Sequence, residues 1–171
     1  MIYYYLHKLL YSVDSPDCDK EILDCYRKHW QGMVQSPAQC TWEMLDGRKS
    51  GSIAHCYGMF PGYFLSAYVL GVRRDAPVVE KQLLIEPHLG DLTQAEGTVV
   101  TEFGPVPVSW KMDGELLMLQ LTVPLGATTQ LALPLKSGSD EFKLDGVFQK
   151  GRIQGSRLVS TLPPGIHQVT Y

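Results

Sequence analysis

Trp42 and Glu43 stand side by side in one polar stretch of this chain, and His55 follows a little further on. His29, Trp30 and Asp46 lie in the same region. An indole face offers apolar contact to the hydrophobic side of a pyranose ring, and an adjacent carboxylate accepts hydrogen bonds from hydroxyls or activates a water. A histidine opening the next helix donates to a hydroxyl. Sugar binding, with or without hydrolysis, is the chemistry that these residue types support at this spacing. The plainer alternative makes Trp42 core, Glu43 an exposed loop acid and His55 a hydrogen-bonded helix-start residue.

Two other constellations are weaker. His29, Cys40, His55 and Cys56 are all metal-ligand types, but their spacing is irregular, and the adjacency of His55 and Cys56 makes a shared tetrahedral centre awkward. A Cys40–His55 nucleophilic pair lacks any local signature. No metal and no cofactor is therefore expected. Asp14, Asp17, Asp19, Glu21 and Asp24 cluster at a helix start, where solvated acids favour the helix dipole.

The elements that must hold these residues change character partway along the chain. Ile2 to Tyr11 is apolar or aromatic on nearly every face, so this helix is expected to be buried on several sides. Asp14-Ser15-Pro16 starts a second helix, in which Ile22, Leu23, Cys25, Tyr26, His29, Trp30 and Met33 recur at spacings of three and four. That helix ends before Pro37, and a loop runs over about 36–51. A third helix is expected over Ile53 to Leu70, with a kink or late start at Pro61 and a stop at Gly71. After Pro77 the period becomes two. LLIEP, GTVVTEFG, VPVSWKM, LLMLQLTVP, TQLALPL, FKLDGVF and HQVTY read as six to eight strands, with Met112-Asp113-Gly114-Glu115 as a hairpin turn. The expected fold class is α+β: a partial helical segment over 1–74, then an antiparallel β-sandwich over 75–171 with Trp110 in its core.

Composition narrows the partners. The 171 residues are 44% hydrophobic and 19% charged with a net charge of −3, so the chain has enough apolar content for a core and no broad cationic surface for nucleic acid or anionic membrane. The longest apolar stretch, Met59 to Val72, is too short and too interrupted by Pro61, Gly62 and Ser66 to cross a bilayer. The first residues carry no basic start or small-residue cleavage site. Cys18, Cys25, Cys40 and Cys56 form no CxxC, and Cys18 and Cys25 are too far apart along one helix to bond. Reduced thiols in a cytoplasmic protein are expected.

The order of the motifs adds a resemblance. HWQGMVQSPAQCTWEMLDG at 29–47, SIAHCYGMFPGYFLSAYVLGV at 52–72, Ile85-Glu86-Pro87, GTVVTEFGPVPVSW at 97–110 and the LTVP and LALP strand ends resemble the carboxy-terminal portion of bacterial α-L-rhamnosidases. That resemblance implies the last hairpins of an (α/α)6 barrel followed by an accessory sandwich. It also implies an inverting glycosidase whose two carboxyl groups stand roughly 6.5–9.5 Å apart. Glu43 then matches the general base, His55 matches a rhamnose-contacting histidine, and Trp42 sits behind or beside the sugar. Cys40 departs from the family pattern, standing where a more distant Thr is expected. The general acid lies upstream of anything in this chain, so the chain alone is expected to bind rhamnose-containing glycosides weakly and to hydrolyse nothing at a useful rate. Its helices are expected to self-associate or to meet a missing barrel half. A different class of function is a non-catalytic carbohydrate-binding or structural sandwich with a helical docking segment; an exposed aromatic strip on one sheet face would favour it.

Overall fold

The computed structural model describes residues 2–37, 39–45, 51–73, 82–136 and 139–171. The chain divides into two compact units, Met1–Leu65 and Ser66–Tyr171. The domain boundary expected at 74/75 and the change of period expected after Pro77 both fall within 74–81, outside the described residues.

The first unit is built on two helices, α1 (Ile2–Val13) and α2 (Pro16–Gln35), in contact and joined by only Asp14 and Ser15. Asp14 takes φ 54°, a left-handed conformation that short polar side chains tolerate and that reverses the chain in so few residues. Pro16 fits the first turn of α2 because its missing N–H would have no helical partner there. Ile22, Leu23, Trp30 and Met33 of α2 are buried with His7 and Tyr11 of α1. A short helix α3 (Phe60–Phe64) adds Phe64, whose ring stacks on Tyr11 at 5.7 Å. Within this chain α1 buries only one face: Ile2, Tyr5, Leu6, Leu9 and Val13 are exposed, which departs from the expectation of burial on several sides.

The third helix also differs from the reading of Ile53 to Leu70. A 3-10 turn occupies Cys56–Gly58, α3 begins only at Phe60, and a π turn follows over Leu65–Val69. Pro61 explains the late start, since proline is tolerated in a first turn and not beyond it.

The second unit is the sandwich. One sheet orders its strands β1 (Val72–Arg73), β2 (Gln82–Ile85), β6 (Thr128–Pro134), β10 (Arg157–Leu162) and β9 (Arg152–Gln154). The other orders β3 (Gln94–Thr101), β4 (Gly104–Asp113), β5 (Leu116–Val123), β11 (Gly165–Thr170), β7 (Glu141–Leu144) and β8 (Val147–Lys150). Every pairing among the described residues is antiparallel except β2 with β6. Eleven strands among the described residues exceed the six to eight expected: one run is two strands, and β1, β9 and β10 lie outside the runs read from the sequence. FKLDGVF is two strands turned at Asp145-Gly146, whose φ of 52° and 82° make the I′ geometry that Asp-Gly favours.

Period-two alternation fills the interior. Val106, Val108 and Trp110 of β4, Leu117, Leu119, Leu121 and Val123 of β5, and Leu131, Leu133 and Leu158 of the facing sheet are buried. Trp110 is core as expected, 2% exposed, and its indole N–H donates to the Val69 carbonyl at 2.8 Å. Gly71 takes φ +83°, and a Cβ there would lie 2.4 Å from the Pro87 nitrogen, so only glycine fits.

A buried polar cluster ties the start of this unit to β10. Glu86 Oε1 accepts from the Arg73 guanidinium at 2.8 Å and lies 3.4 Å from His88 Nε2. Arg157 donates to the Pro87 carbonyl at 3.0 Å and sits against the His88 ring. Burial pushes the Glu86 carboxyl up, but the His88 contact and the charges of Arg157 and Arg73 outweigh it and hold it below the ordinary carboxylate range.

Candidate functional site

The loop after α2 carries Trp42 and Glu43, and it is folded against the segment that leads to His55. The His55 N–H donates to the Thr41 carbonyl at 2.7 Å, and the Thr41 hydroxyl donates back to the His55 carbonyl at 2.8 Å. Further along, the Glu43 N–H donates to the Ser52 carbonyl at 2.9 Å, and the Ser52 N–H donates to Glu43 Oε2 at 3.1 Å. Two reciprocal pairs therefore set Trp42-Glu43 and Ser52–His55 side by side as the limbs of one loop. Asp46 lies in 46–50, outside the described residues.

Helix α2 supplies the base of this loop. The Trp42 N–H donates to Met33 Sδ at 3.4 Å, and the indole lies over Gly32, where an added Cβ would meet its ring at 3.6 Å. Trp42 Nε1 is buried with no hydrogen-bond partner among the described residues. Trp30 is core, 7% exposed; its indole N–H donates to the Gly58 carbonyl at 2.8 Å and fixes the turn that follows His55. Gly58 in turn has no room for a side chain, since a Cβ would meet Thr41 and the Trp42 carbonyl at 2.8 Å. His29 remains on α2, its ring 5.8 Å from that of Tyr3.

The chemistry available follows from these contacts. His55 caps the 3-10 turn, with Nδ1 accepting from the Tyr57 N–H at 3.2 Å. With Nδ1 accepting, the ring proton sits on Nε2, a donor without a partner among the described residues. Its ring centroid lies 4.3 Å from that of Tyr57. Glu43 is exposed and uses one carboxylate oxygen on Ser52, which leaves Oε1 without a partner among the described residues.

The acids of α2 have other roles. Asp24 pairs with Lys20 and with Arg27, at 2.7 Å for the latter, and these hydrogen bonds, Lys20 first, hold its carboxyl below the usual range. Asp19 is buried rather than solvated, 5% exposed, which corrects the reading of a uniformly solvated cluster. At 1.5 Å per residue, Asp19 sits about 20 Å and Asp24 about 12 Å along the helix from Gly32, where the Trp42-Glu43 loop rests. Among the described residues no three His, Cys, Asp or Glu side chains gather in a way that could hold a metal ion. The four cysteines are free thiols, with Cys18 and Cys25 half-buried and Cys40 and Cys56 exposed. No helix among the described residues is long and apolar enough to cross a membrane.

The residue types flagged by sequence alone were Trp42, Glu43 and His55; Thr41, Ser52, Met33 and Gly58, which hold them in place, were not. Small polar and glycine residues beside a Trp-Glu pair carry little signal until their backbone partners are known.

Residues 71–145 match the family model described as the bacterial alpha-L-rhamnosidase C-terminal domain. No curated protein matches the sequence. Among solved structures, the α-L-rhamnosidase of Streptomyces avermitilis complexed with L-rhamnose aligns with a TM-score of 0.68 at 21% identity, over 83% of this chain and 14% of that one. An α-L-rhamnosidase from Dictyoglumus thermophilum gives 0.68 at 19% identity over 81% and 17%. A native α-L-rhamnosidase from Aspergillus terreus gives 0.68 at 20% identity over 90% and 17%. These shares of the present chain are more than residues 66–171 supply, so the likeness of fold reaches into the helical unit. The chain thus spans 14–17% of the length of the solved proteins it resembles. Over residues 71–145 the chain is similar to the bacterial alpha-L-rhamnosidase C-terminal domain, and its fold is that of the carboxy-terminal part of the solved α-L-rhamnosidases.

Proposed function

We propose that this chain is the carboxy-terminal part of an α-L-rhamnosidase-like glycoside hydrolase and carries one half of its catalytic machinery. Glu43 is the general base, with Oε1 taking the proton of the attacking water while Oε2 stays on the Ser52 N–H. His55 donates from Nε2 to a rhamnose hydroxyl, and Trp42 backs the sugar from its place over Gly32. The observation that carries this reading is the doubly bonded loop, in which Thr41–His55 and Glu43–Ser52 bring the acid and the imidazole onto adjoining limbs. The α-L-rhamnosidase of Streptomyces avermitilis, whose fold matches, was solved with L-rhamnose.

The complementary acid belongs to another part of the enzyme. Asp24 of α2 is engaged by Lys20 and Arg27, and the chain alone binds rhamnosides weakly and does not turn them over. The exposed apolar row Ile2, Tyr5, Leu6, Leu9 and Val13 on α1 is the face that meets the rest of the barrel, whether in a longer polypeptide, a partner or a second copy. Covering it contributes roughly 1.5–3 kcal/mol for each large side chain fully buried.

An aryl α-L-rhamnoside assay tests the reading. The chain alone is expected to release no aryl group above the solvent rate. Joined to the upstream helical portion of a rhamnosidase of this family, it is expected to support hydrolysis that Glu43→Gln abolishes. Undiminished turnover in the Glu43→Gln hybrid removes the general-base assignment.

A further inference from the structure

The outward face of the six-stranded sheet carries an ordered set of groups that the rhamnosidase reading does not use. The register places Glu96 of β3 opposite Ser109 of β4, Ser109 opposite Gln120 of β5, and Gln120 opposite Gln168 of β11. These four side chains therefore form one row across four adjacent strands. At 4.7–4.9 Å per strand the row is about 14 Å long. The alternation of buried and exposed positions along β3, β4 and β5 puts the row on the solvent side, and none of its four side chains has a hydrogen-bond partner among the described residues.

Two shallow grooves meet at this row. One, of about 510 Å³, extends toward Thr98, Pro107, Thr122 and Ile166; the other, of about 430 Å³, extends toward Gln94, Lys111 and Met118. Glu96, Ser109 and Gln120 line both. Among the described residues that line the grooves, the only charged side chains are Glu96 and Lys111, one of each sign. Amides and hydroxyls supply the rest of the polar lining, and each offers both a donor and an acceptor. Ile166, 80% exposed, and Met118 flank the row as aliphatic shoulders.

From this we infer that the β3–β4–β5–β11 face is an ancillary binding site for a neutral oligosaccharide lying across the strands, separate from the Trp42–His55 loop. Charge complementarity selects the occupant. A face whose charges cancel lacks the cationic excess that a nucleic acid or an acidic peptide requires. It also lacks the aromatic and apolar centre of a stable protein interface. A chain of pyranoses presents what the row can answer: regularly spaced hydroxyls that both donate and accept, and C–H faces that pack on Ile166, Pro107 and Met118. Residues of this row lie on rigid strands, so the site is formed before the ligand arrives.

The test is a titration of the full chain with a neutral linear tetrasaccharide ending in α-L-rhamnose, followed by 1H–15N amide shifts. Saturable shifts at Glu96, Ser109, Gln120 and Gln168 are expected. Gln120→Ala with Ser109→Ala is expected to weaken binding about tenfold or more, the effect of losing one or two hydrogen bonds, while leaving thermal unfolding unchanged. Glu43→Gln and His55→Ala are expected to leave these shifts intact, so failure of the loop reading and failure of this one are distinguishable. Absence of shifts on the sheet at high millimolar sugar, or shifts there that the double variant leaves unaltered, overturns the inference.

Discussion

His7 offers the sharpest quantitative test of how the helical unit is held. Its ring is 1% exposed and enclosed by aromatic neighbours, with centroids 5.0 Å from Tyr26, 5.5 Å from Phe60 and 5.8 Å from Phe64. Neither ring nitrogen has a hydrogen-bond partner among the described residues. Burial pushes the imidazole down to about 4 from its usual 6.5, because the cage disfavours the charged form. The sign follows from linkage: the unfolded chain takes up a proton as pH falls through 6.5, and the folded one does not until about 4. Stability of the unit is therefore full above pH 6.5 and declines below it, by about 2 kcal/mol at pH 5 and about 3 kcal/mol at pH 4. Urea unfolding followed at 222 nm between pH 7.5 and 4.5 measures this, with His7→Phe as the comparison. Phenylalanine fills the same cage without a titrating group or orphaned nitrogens. Its curve is expected to stay flat over that range and to lie about 1–3 kcal/mol higher even at pH 7. A wild-type midpoint that does not move with pH, or a His7→Phe variant less stable than wild type at pH 5, would refute the burial argument.

Three further outcomes follow from the sandwich. Gly71→Ala forces a Cβ against the Pro87 backbone at a positive φ, and thermal unfolding is expected to show a loss of at least about 2 kcal/mol. Trp110→Phe removes the donor to the Val69 carbonyl and part of a fully buried ring, with an expected cost of about 2–3 kcal/mol in denaturant unfolding. Glu86 has a depressed carboxyl, so its stabilisation is present above the usual glutamate pKa and is lost as pH falls through the lower folded value; in acid titration Glu86→Gln is expected to be less stable than wild type at neutral pH and to lose the Glu86 share of the acid dependence.

Legibility of the fold in the sequence tracked how local each cause was. Strand periodicity, the Asp113-Gly114 hairpin and the burial of Trp110 depend on neighbours in sequence or on simple alternation, and all are present. The Asp145-Gly146 hairpin was hidden because FKLDGVF keeps strand-forming residues on both sides of the turn, although the Asp-Gly pair itself was the signal. The irregular path from His55 to Leu70 follows from distant partners: Trp30 holds Gly58, and Thr41 holds His55. No periodicity reports such contacts. The exposed stripe of α1 shows the same limit from the other side, since an all-round apolar helix announces burial without saying what covers it. In the candidate site the chemistry-bearing types stood out, whereas the residues that fix them did so through backbone groups that are the same in every residue.

The central claim is that the Trp42–His55 loop receives rhamnose, and the indole N–H resonances read it directly. Three tryptophans give three indole N–H signals, of which those of Trp30 and Trp110 come from groups bonded to backbone carbonyls in the two cores. On titration with L-rhamnose to high millimolar concentration, the Trp42 signal and the His55 and Glu43 amides are expected to move together and saturably, while the Trp30 and Trp110 indoles stay in place. A Trp42 signal that does not move, with the His55 and Glu43 amides equally still, would contradict the account.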